Sequence, residues 1–387
     1  MPRPSLPPVA IAGWGAISAA GCGVDAFAAA IRSNTSGLRT SERFAGPRFQ
    51  SNIVGAAPRN GGDRDDPAHD LATEALQQAR KHAGKILSGI PPERIGLVLA
   101  TTKANVEALE RLVDKRPCSD AARRHLQADL LAADLAAEHG VRGPVQCISL
   151  ACVSGLAALQ QGAKLIQRDE ADAVVVVGVD HLSAFVVAGF TALKAIDPAG
   201  CRPFDRDRCG LTPGEAGAAI VLVRGDRAPA SAITLRGWGS SNDANHLTGP
   251  SRDGSGLALA IRAALDSAGL QPSDIDYINA HGTGTPYNDA MESLALRTIF
   301  GETCPPISGL KGMLGHTLGA AGVLETIACG IALQEQLLPG TPRLSAAAEG
   351  VPASLVREPR PANGLRRILK LNTGFGGVNS ALVVGHE

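Results

Sequence analysis

The sequence predicts an α/β protein made of two similar halves, and three observations carry that expectation. Strand signals alternate with helix signals along the chain, the pattern of sheets covered by helices. Two segments repeat one shape. Each is a short strand, a tight turn and a helix of small residues with almost no charge: ACVSGLAALQQGAKLIQ after a strand ending at Leu150, and KGMLGHTLGAAGVLETIACGIALQ after one ending near Gly309. A helix that is apolar all round is buried. Two closing strands also look alike, AAIVLV at 218–223 and SALVVG at 380–385.

In chain order, Val9 to Gly13 reads as the first strand, a Gly-rich turn follows, and a helix starts near Asp25, a candidate N-cap. The uncharged stretch from Val9 to Val24, preceded by Pro2, Pro4, Pro7 and Pro8, is too short to span a bilayer and reads as strand and turn. Residues 55–67 form a polar loop, and a helix covers about Ala68 to Leu87. Ile95 to Ala100 is a buried strand. Residues 103–140 form helices on the surface or over a site, with Leu109, Leu112, Leu126, Leu130 and Leu135 at helical spacings. Ala173 to Val179 is a strand after the first apolar helix. The boundary between the halves falls near Asp226 to Ala232, giving units 1–228 and 229–387.

Composition limits function. The chain has 387 residues, and 37 Lys and Arg balance 37 Asp and Glu, so nothing in its net charge favours a nucleic-acid or anionic-membrane partner. With 44% hydrophobic and 19% charged residues, the chain has ample material for a core and is no disordered segment. The eight cysteines include no C-x-x-C pair and no His neighbour at zinc spacing, which argues against a zinc site and for reduced thiols in a cytoplasm.

Several residues stand out chemically. Cys152 sits where a strand turns into a buried helix, and a helix N-terminus favours a thiolate. A small buried hydrophobe is the other reading of that cysteine. His281, in INAHGTGTPYNDAMES, ends a strand, where ligand sites gather in α/β folds. Thr283 and Thr285 make a turn rich in hydroxyls, while Asp289 and Glu292 open the next helix. A capping histidine fits the same residues. His316 enters an Ala/Gly helix, with Lys311 five residues earlier. A lysine near a buried face needs an acid, and Glu292 or Asp289 is available. A core histidine and a surface lysine are the plain alternatives. Three glycines around Phe375, in NTGFGGVNS, mark an unusual backbone path or a simple hairpin. Arg202, Asp205 and Arg208 suggest a buried ionic network or a solvated loop.

Together, ACVSG, HGTGTPYND, KGMLGHTLGAAG and GFGGVN resemble the motifs of the β-ketoacyl-acyl-carrier-protein synthases, in order and in spacing, over nearly the whole chain. The resemblance implies a thiolase-like fold, two halves in α-β-α-β-α layers, usually dimeric. It implies a Cys-His-His site at Cys152, His281 and His316, with Lys311 orienting the pair through Glu292. It also implies an oxyanion hole on the backbone N–H groups of Cys152 and Phe375, Phe375 as a gate, and Thr283 and Thr285 on a pantetheine arm. No metal or organic cofactor is implied. The implied partners are an acyl carrier protein and a second chain, identical or related, and the implied reaction is decarboxylative chain elongation. Docking of an acidic carrier implies a basic patch, with the Arg123–Arg124 and Arg366–Arg367 pairs as candidates. Initiating ketosynthases have an asparagine where His316 stands. Thiolases carry a second cysteine near the C-terminus, whereas no cysteine follows Cys329. Chain-length-factor partners lack the nucleophile. A non-elongating acyltransferase on the same fold, or a chain-length-factor-like partner, remains the alternative. This chain departs from the pattern at Cys209, in place of the usual acid, at LTPGEAG, at Thr373, in place of an aromatic, and in a shorter segment before Cys152. These departures leave the acyl group open.

Overall fold

The computed structural model describes residues 7–58 and 64–386. Residues 59–63 of the expected polar loop, and Pro2 and Pro4, lie outside the described residues.

Ten strands build the framework. They are β1 (Val9–Ser18), β2 (Ile95–Ala100), β3 (Val145–Ile148), β4 (Ala173–Asp180), β5 (Ala216–Arg224), β6 (Thr234–Asn242), β7 (Tyr277–Asn279), β8 (Ile307–Ser308), β9 (Arg367–Gly374) and β10 (Val378–Gly385). Their helices are α1 (Val24–Ser33), α2 (Pro67–Ser88), α3 (Val106–Val113), α4 (Asp120–Arg124), α5 (Ala128–Glu138), α6 (Ser154–Gln167), α7 (Ala184–Ala192), α8 (Ser255–Ala268), α9 (Pro286–Phe300), α10 (Lys311–Leu314) and α11 (Ala321–Glu335).

The strand order shows the duplication directly. The first half runs β1-β5-β4-β2-β3 and the second β6-β10-β9-β7-β8. In each half the first two pairings are antiparallel and the last two parallel. A two-residue ladder, Val9 with Leu235 and Ala10 with Thr234, joins the halves into one sheet.

The period of two along each strand sorts side chains into layers. Leu97, Leu99, Val175, Val177, Val221 and Val223 face Leu71, Ala75, Leu76 and Ala79 of α2. The alternate residues Val98, Val174, Val176, Ile220 and Leu222 face a central layer built from α6 and α11. In the second half Ile368, Leu382 and Val384 face that same central layer, while Leu369, Leu371 and Val383 meet Leu257, Ile261 and Leu265 of α8. The order is therefore α2/α5, sheet, α6/α11, sheet, α8/α9: the five layers of the thiolase-like fold.

Local differences have physical causes. β1 runs five residues beyond the expected Gly13, because Ala16 to Ser18 continue the ladder with Ala216 to Ala218. α1 starts on Gly23, with no side-chain cap, and Asp25 sits inside its first turn. β3 ends at Ile148, two residues before Leu150. In α3 the expected apolar side is turned outward: Leu109 is 48% exposed and Leu112 44%, while Glu107 and Arg111 are buried. Glu107 anchors this face through Arg43 and Arg111, so ion pairing outweighs the leucines. Among the described residues one segment, Leu318–Glu335, is long and apolar enough to cross a membrane, and 89% of it is buried inside the protein as the central-layer helix and its leading turn.

Candidate functional site

Cys152 lies in the turn between β3 and α6. Ala151 takes a left-handed conformation there, φ 45°. Ser154 holds the turn: its Oγ accepts from Leu150 N at 2.8 Å and donates to Ala151 O at 2.6 Å. The equivalent turn of the second half, between α10 and α11, carries His316. Its backbone is pinned by His316 N to Thr212 O, 2.7 Å, and Gly214 N to His316 O, 2.9 Å. The two turns meet because α6 and α11 cross on glycines. A methyl on Gly155 would lie 2.8 Å from Val323 N, and one on Gly322 would lie 2.4 Å from Leu156 N. His281 follows β7 and Phe375 follows β9, which are parallel neighbours. Four chain segments thus converge at strand C-termini and helix N-termini.

Their side chains make one cluster. His316 Nε2 is 3.0 Å from Cys152 Sγ, and its Nδ1 accepts from Leu318 N at 3.4 Å. The rings of His281 and His316 stand edge to face, centroids 5.2 Å apart. Both imidazoles are held well below the ordinary histidine range, first by burial and then by the Lys311 ammonium. They are neutral at physiological pH. In a neutral His316 whose Nδ1 accepts, the proton is on Nε2, aimed at the sulfur.

The Cys152 thiol is subject to opposing influences. Burial is the largest influence and pushes it up to about 11; Lys311 and the N–H of Phe375 pull it down only in part.

The acids correct a sequence expectation. Lys311 pairs with neither Glu292 nor Asp289. Its Nζ lies 2.8 Å from Glu325 Oε1 and donates to His281 O at 2.6 Å. Glu292 is already occupied by His281 N at 2.6 Å and Gly282 N at 2.9 Å, with its carboxyl pushed up to about 7 by burial. Asp289 accepts from Phe204 N at 2.8 Å and Thr283 N at 3.0 Å. Both acids therefore shape the turn carrying His281, and the lysine, coming from α10, meets α11 instead. Thr283 and Thr285 share a hydroxyl contact of 2.8 Å. The expected network also dissolves. Arg202 faces Asp197 at 3.5 Å, Arg208 faces Asp289 at 3.7 Å, and Asp205 caps the Ser345 turn.

Sequence reasoning missed Glu325, Lys370, Asn372 and Asp180, all fully or almost fully buried. Glu325 and Lys370 had a signal: each is a charge in the interior of an otherwise apolar helix or strand, away from Glu335 and Arg367 at the element ends. Asp180 ends β4 and accepts from Gly319 N at 2.7 Å and Thr101 Oγ1 at 3.0 Å, bracing the turn after His316.

A cavity of about 460 Å³ opens over the cluster, and Cys152, His281, His316, Thr283, Thr285 and Phe375 all line it. Phe375 is 37% exposed at its edge, its ring 6.0 Å from that of Phe190. Cys209 and Thr373 line the same space. Among the described residues no group of three or more His, Cys, Asp or Glu is placed to hold a metal ion. The arrangement is suited to acyl transfer: a cysteine sulfur, two neutral imidazoles, and a cavity with the buried Lys311 and Lys370 behind it.

Comparison with known proteins gives the same direction. The model of the β-ketoacyl synthase N-terminal domain matches residues 7–228, and that of its C-terminal domain residues 232–345. The tetracenomycin polyketide synthase ketoacyl synthase alpha subunit of Streptomyces glaucescens is 34% identical, over 97% of this chain and 96% of its own. The 3-oxoacyl-[acyl-carrier-protein] synthase 2 of Vibrio cholerae is 32% identical, over 97% and 98%. Among solved structures, the ishigamide ketosynthase/chain length factor superposes with a TM-score of 0.91 at 29% identity, covering 99% of this chain and 100% of that one. The ketosynthase ApeO in complex with its chain length factor ApeC, from Xenorhabdus doucetiae, gives 0.87 at 29% identity, covering all of both chains.

Proposed function

The chain belongs to the β-ketoacyl synthase family, and from that premise we propose that it is an acyltransferase of the condensing kind, joining a Cys152-bound acyl group to a malonyl unit on an acyl carrier protein. The observation that carries the reading is the 3.0 Å contact of His316 Nε2 with Cys152 Sγ, beside the His281 ring.

The proposed steps are these. Cys152 attacks the thioester carbonyl of the incoming acyl carrier. The S–H proton is lost as the sulfur bonds to the carbonyl carbon and ends on the departing carrier sulfur, while the developing charge on Cys152 Sγ is met by His316 Nε2–H and the N–H of Phe375. The backbone N–H groups of Cys152 and Phe375 receive the oxyanion, a contribution typically worth about 10²–10³ in rate per donor. The carrier thiol leaves. A malonyl thioester then enters past Phe375, with Thr283 and Thr285 along its pantetheine arm. Its carboxylate carbon–carbon bond breaks, CO₂ departs, and the electron pair passes to the thioester as an enolate. His281 and His316 donate to that enolate oxygen. The enolate carbon attacks the acyl-Cys152 carbonyl, the sulfur leaves as thiolate, and a 3-oxoacyl carrier lengthened by two carbons is released.

The division at 228/229, a cytoplasmic site and dimerisation with an identical or ketosynthase-like chain are part of this proposal. Eight unpaired cysteines support the reducing compartment. The solved complexes with chain length factors support a related second chain as partner. They also keep a chain-length-factor-like role as the second reading, against which the complete Cys-His-His set weighs. For carrier docking, Arg123 and Arg124 are poor anchors, since Asp120 and Asp134 already pair with them. Arg367 is likewise paired, with Asp274 at 3.9 Å, so neither pair stands out as the docking anchor. Intact-mass analysis after exposure to acyl carriers, followed by malonyl carrier, tests the reading.

A further inference from the structure

Strand β9 carries two polar side chains into an apolar layer. Ile368 belongs to the central core, and Leu369 and Leu371 to the outer core with α8. By the two-residue period, Lys370 and Asn372 point with Ile368 toward α11. Both are fully buried. Such groups are costly unless partnered, and each has a partner that bears on His281.

Lys370 Nζ lies 2.9 Å from Glu325 Oε2, while Lys311 Nζ lies 2.8 Å from Oε1. One carboxylate bridges two ammonium groups, so the trio carries one excess positive charge. Asn372 Nδ2 is 3.0 Å from His281 Nδ1, and Lys311 Nζ is 3.2 Å from the same nitrogen. An ammonium has donors only, so the nitrogen facing it carries the lone pair. Turning the Asn372 amide round would set its oxygen against that lone pair. The proton of neutral His281 is therefore on Nε2.

We infer that Lys370 and Asn372 are positioning residues for His281. Asn372 holds the ring with Nδ1 as acceptor and Nε2–H directed away from the lysines. Lys370 takes half of Glu325 and so leaves the Lys311 ammonium directed at His281 instead of wholly neutralised by the glutamate. The lysines also hold His281 below the ordinary histidine range, after burial. The purpose of the N–H rests on the condensing reading; its placement rests on this geometry alone.

The test uses the full chain labelled with ¹⁵N-histidine, the His281 signals being identified by their loss in His281→Gln. In the unaltered protein the His281 ring should show only the Nε2–H tautomer and no titration between about pH 5.5 and 9. In Asn372→Leu and Lys370→Met a second tautomer or a titration should emerge. Malonyl-carrier decarboxylation should then lose about tenfold or more in kcat, with KM within about threefold and acyl loading of Cys152 retained. Lys370→Arg should restore kcat to within about threefold, because it restores the charge. If Lys370→Met does not fold, Asn372→Leu carries the test. An Nδ1–H signal in the unaltered protein overturns the inference, as does an unchanged kcat in both variants. An unaltered chain that shows the Nε2–H tautomer but never discharges acyl-Cys152 sinks the condensing reading and upholds the ring placement.

Discussion

Cys152 and His316 share one contact, and the chemistry of each limits the other. The thiol is pushed up to about 11 by burial. Below that value the thiolate fraction grows about tenfold per pH unit. Alkylation of Cys152 by iodoacetamide should therefore accelerate continuously from about pH 6 to 9. A plateau near neutrality would show that the α6 terminus and Lys311 overcome burial after all. Glu292 makes a second residue-level prediction. Its carboxyl is pushed from 4.5 to about 7, again by burial. Across that window the folded chain keeps a proton that the unfolded chain has released, so this residue's contribution to stability falls as pH rises. The melting temperature of the natural protein should drop relative to that of Glu292→Gln between about pH 5 and 7.5. Parallel pH curves for the two would refute it.

At the scale of elements, the crossing of α6 on α11 sets the distance between the sulfur and His316. A methyl at Gly322 would lie 2.4 Å from Leu156 N, on backbone that has nowhere to go. Gly322→Ala should cost about 1–3 kcal/mol of stability by overpacking. It should also slow acylation of Cys152 by moving the turn that bears His316, as melting curves and intact mass would report. Full stability with full acylation would show that the helices can part freely. The same elements explain what was legible in the sequence. The two apolar helices and the strands at Ile95, Ala173 and Ala216 could be read because burial on every side leaves continuous runs of Val, Ile, Leu and Ala. Cys152, His281 and His316 stood out because glycines surround them. The partner of Lys311 could not be read. Glu325 reaches it from α11, 14 positions on, whereas the nearer acids of α9 satisfy backbone N–H groups. The outward turn of Leu109 and Leu112 was hidden too, because the anchor of Glu107 is Arg43, 64 positions away.

For the whole molecule, the central layer is shared property. Core residues of both halves pack on α6 and α11 together. Neither half can bury that layer alone, so calorimetry should record one cooperative transition, and a 1–228 fragment should remain unfolded. Two separable transitions would contradict this. The shared layer is also where the candidate site sits, with Cys152 supplied by one half and His281 and His316 by the other. The most direct test of that account is the intact mass of the protein after exposure to acyl-carrier thioesters and then to malonyl carrier, with Cys152→Ala in parallel. The account predicts an acyl adduct that requires Cys152 and disappears on malonyl addition as a 3-oxoacyl carrier forms. An adduct that malonyl carrier never discharges, or no adduct with any acyl carrier, would contradict it.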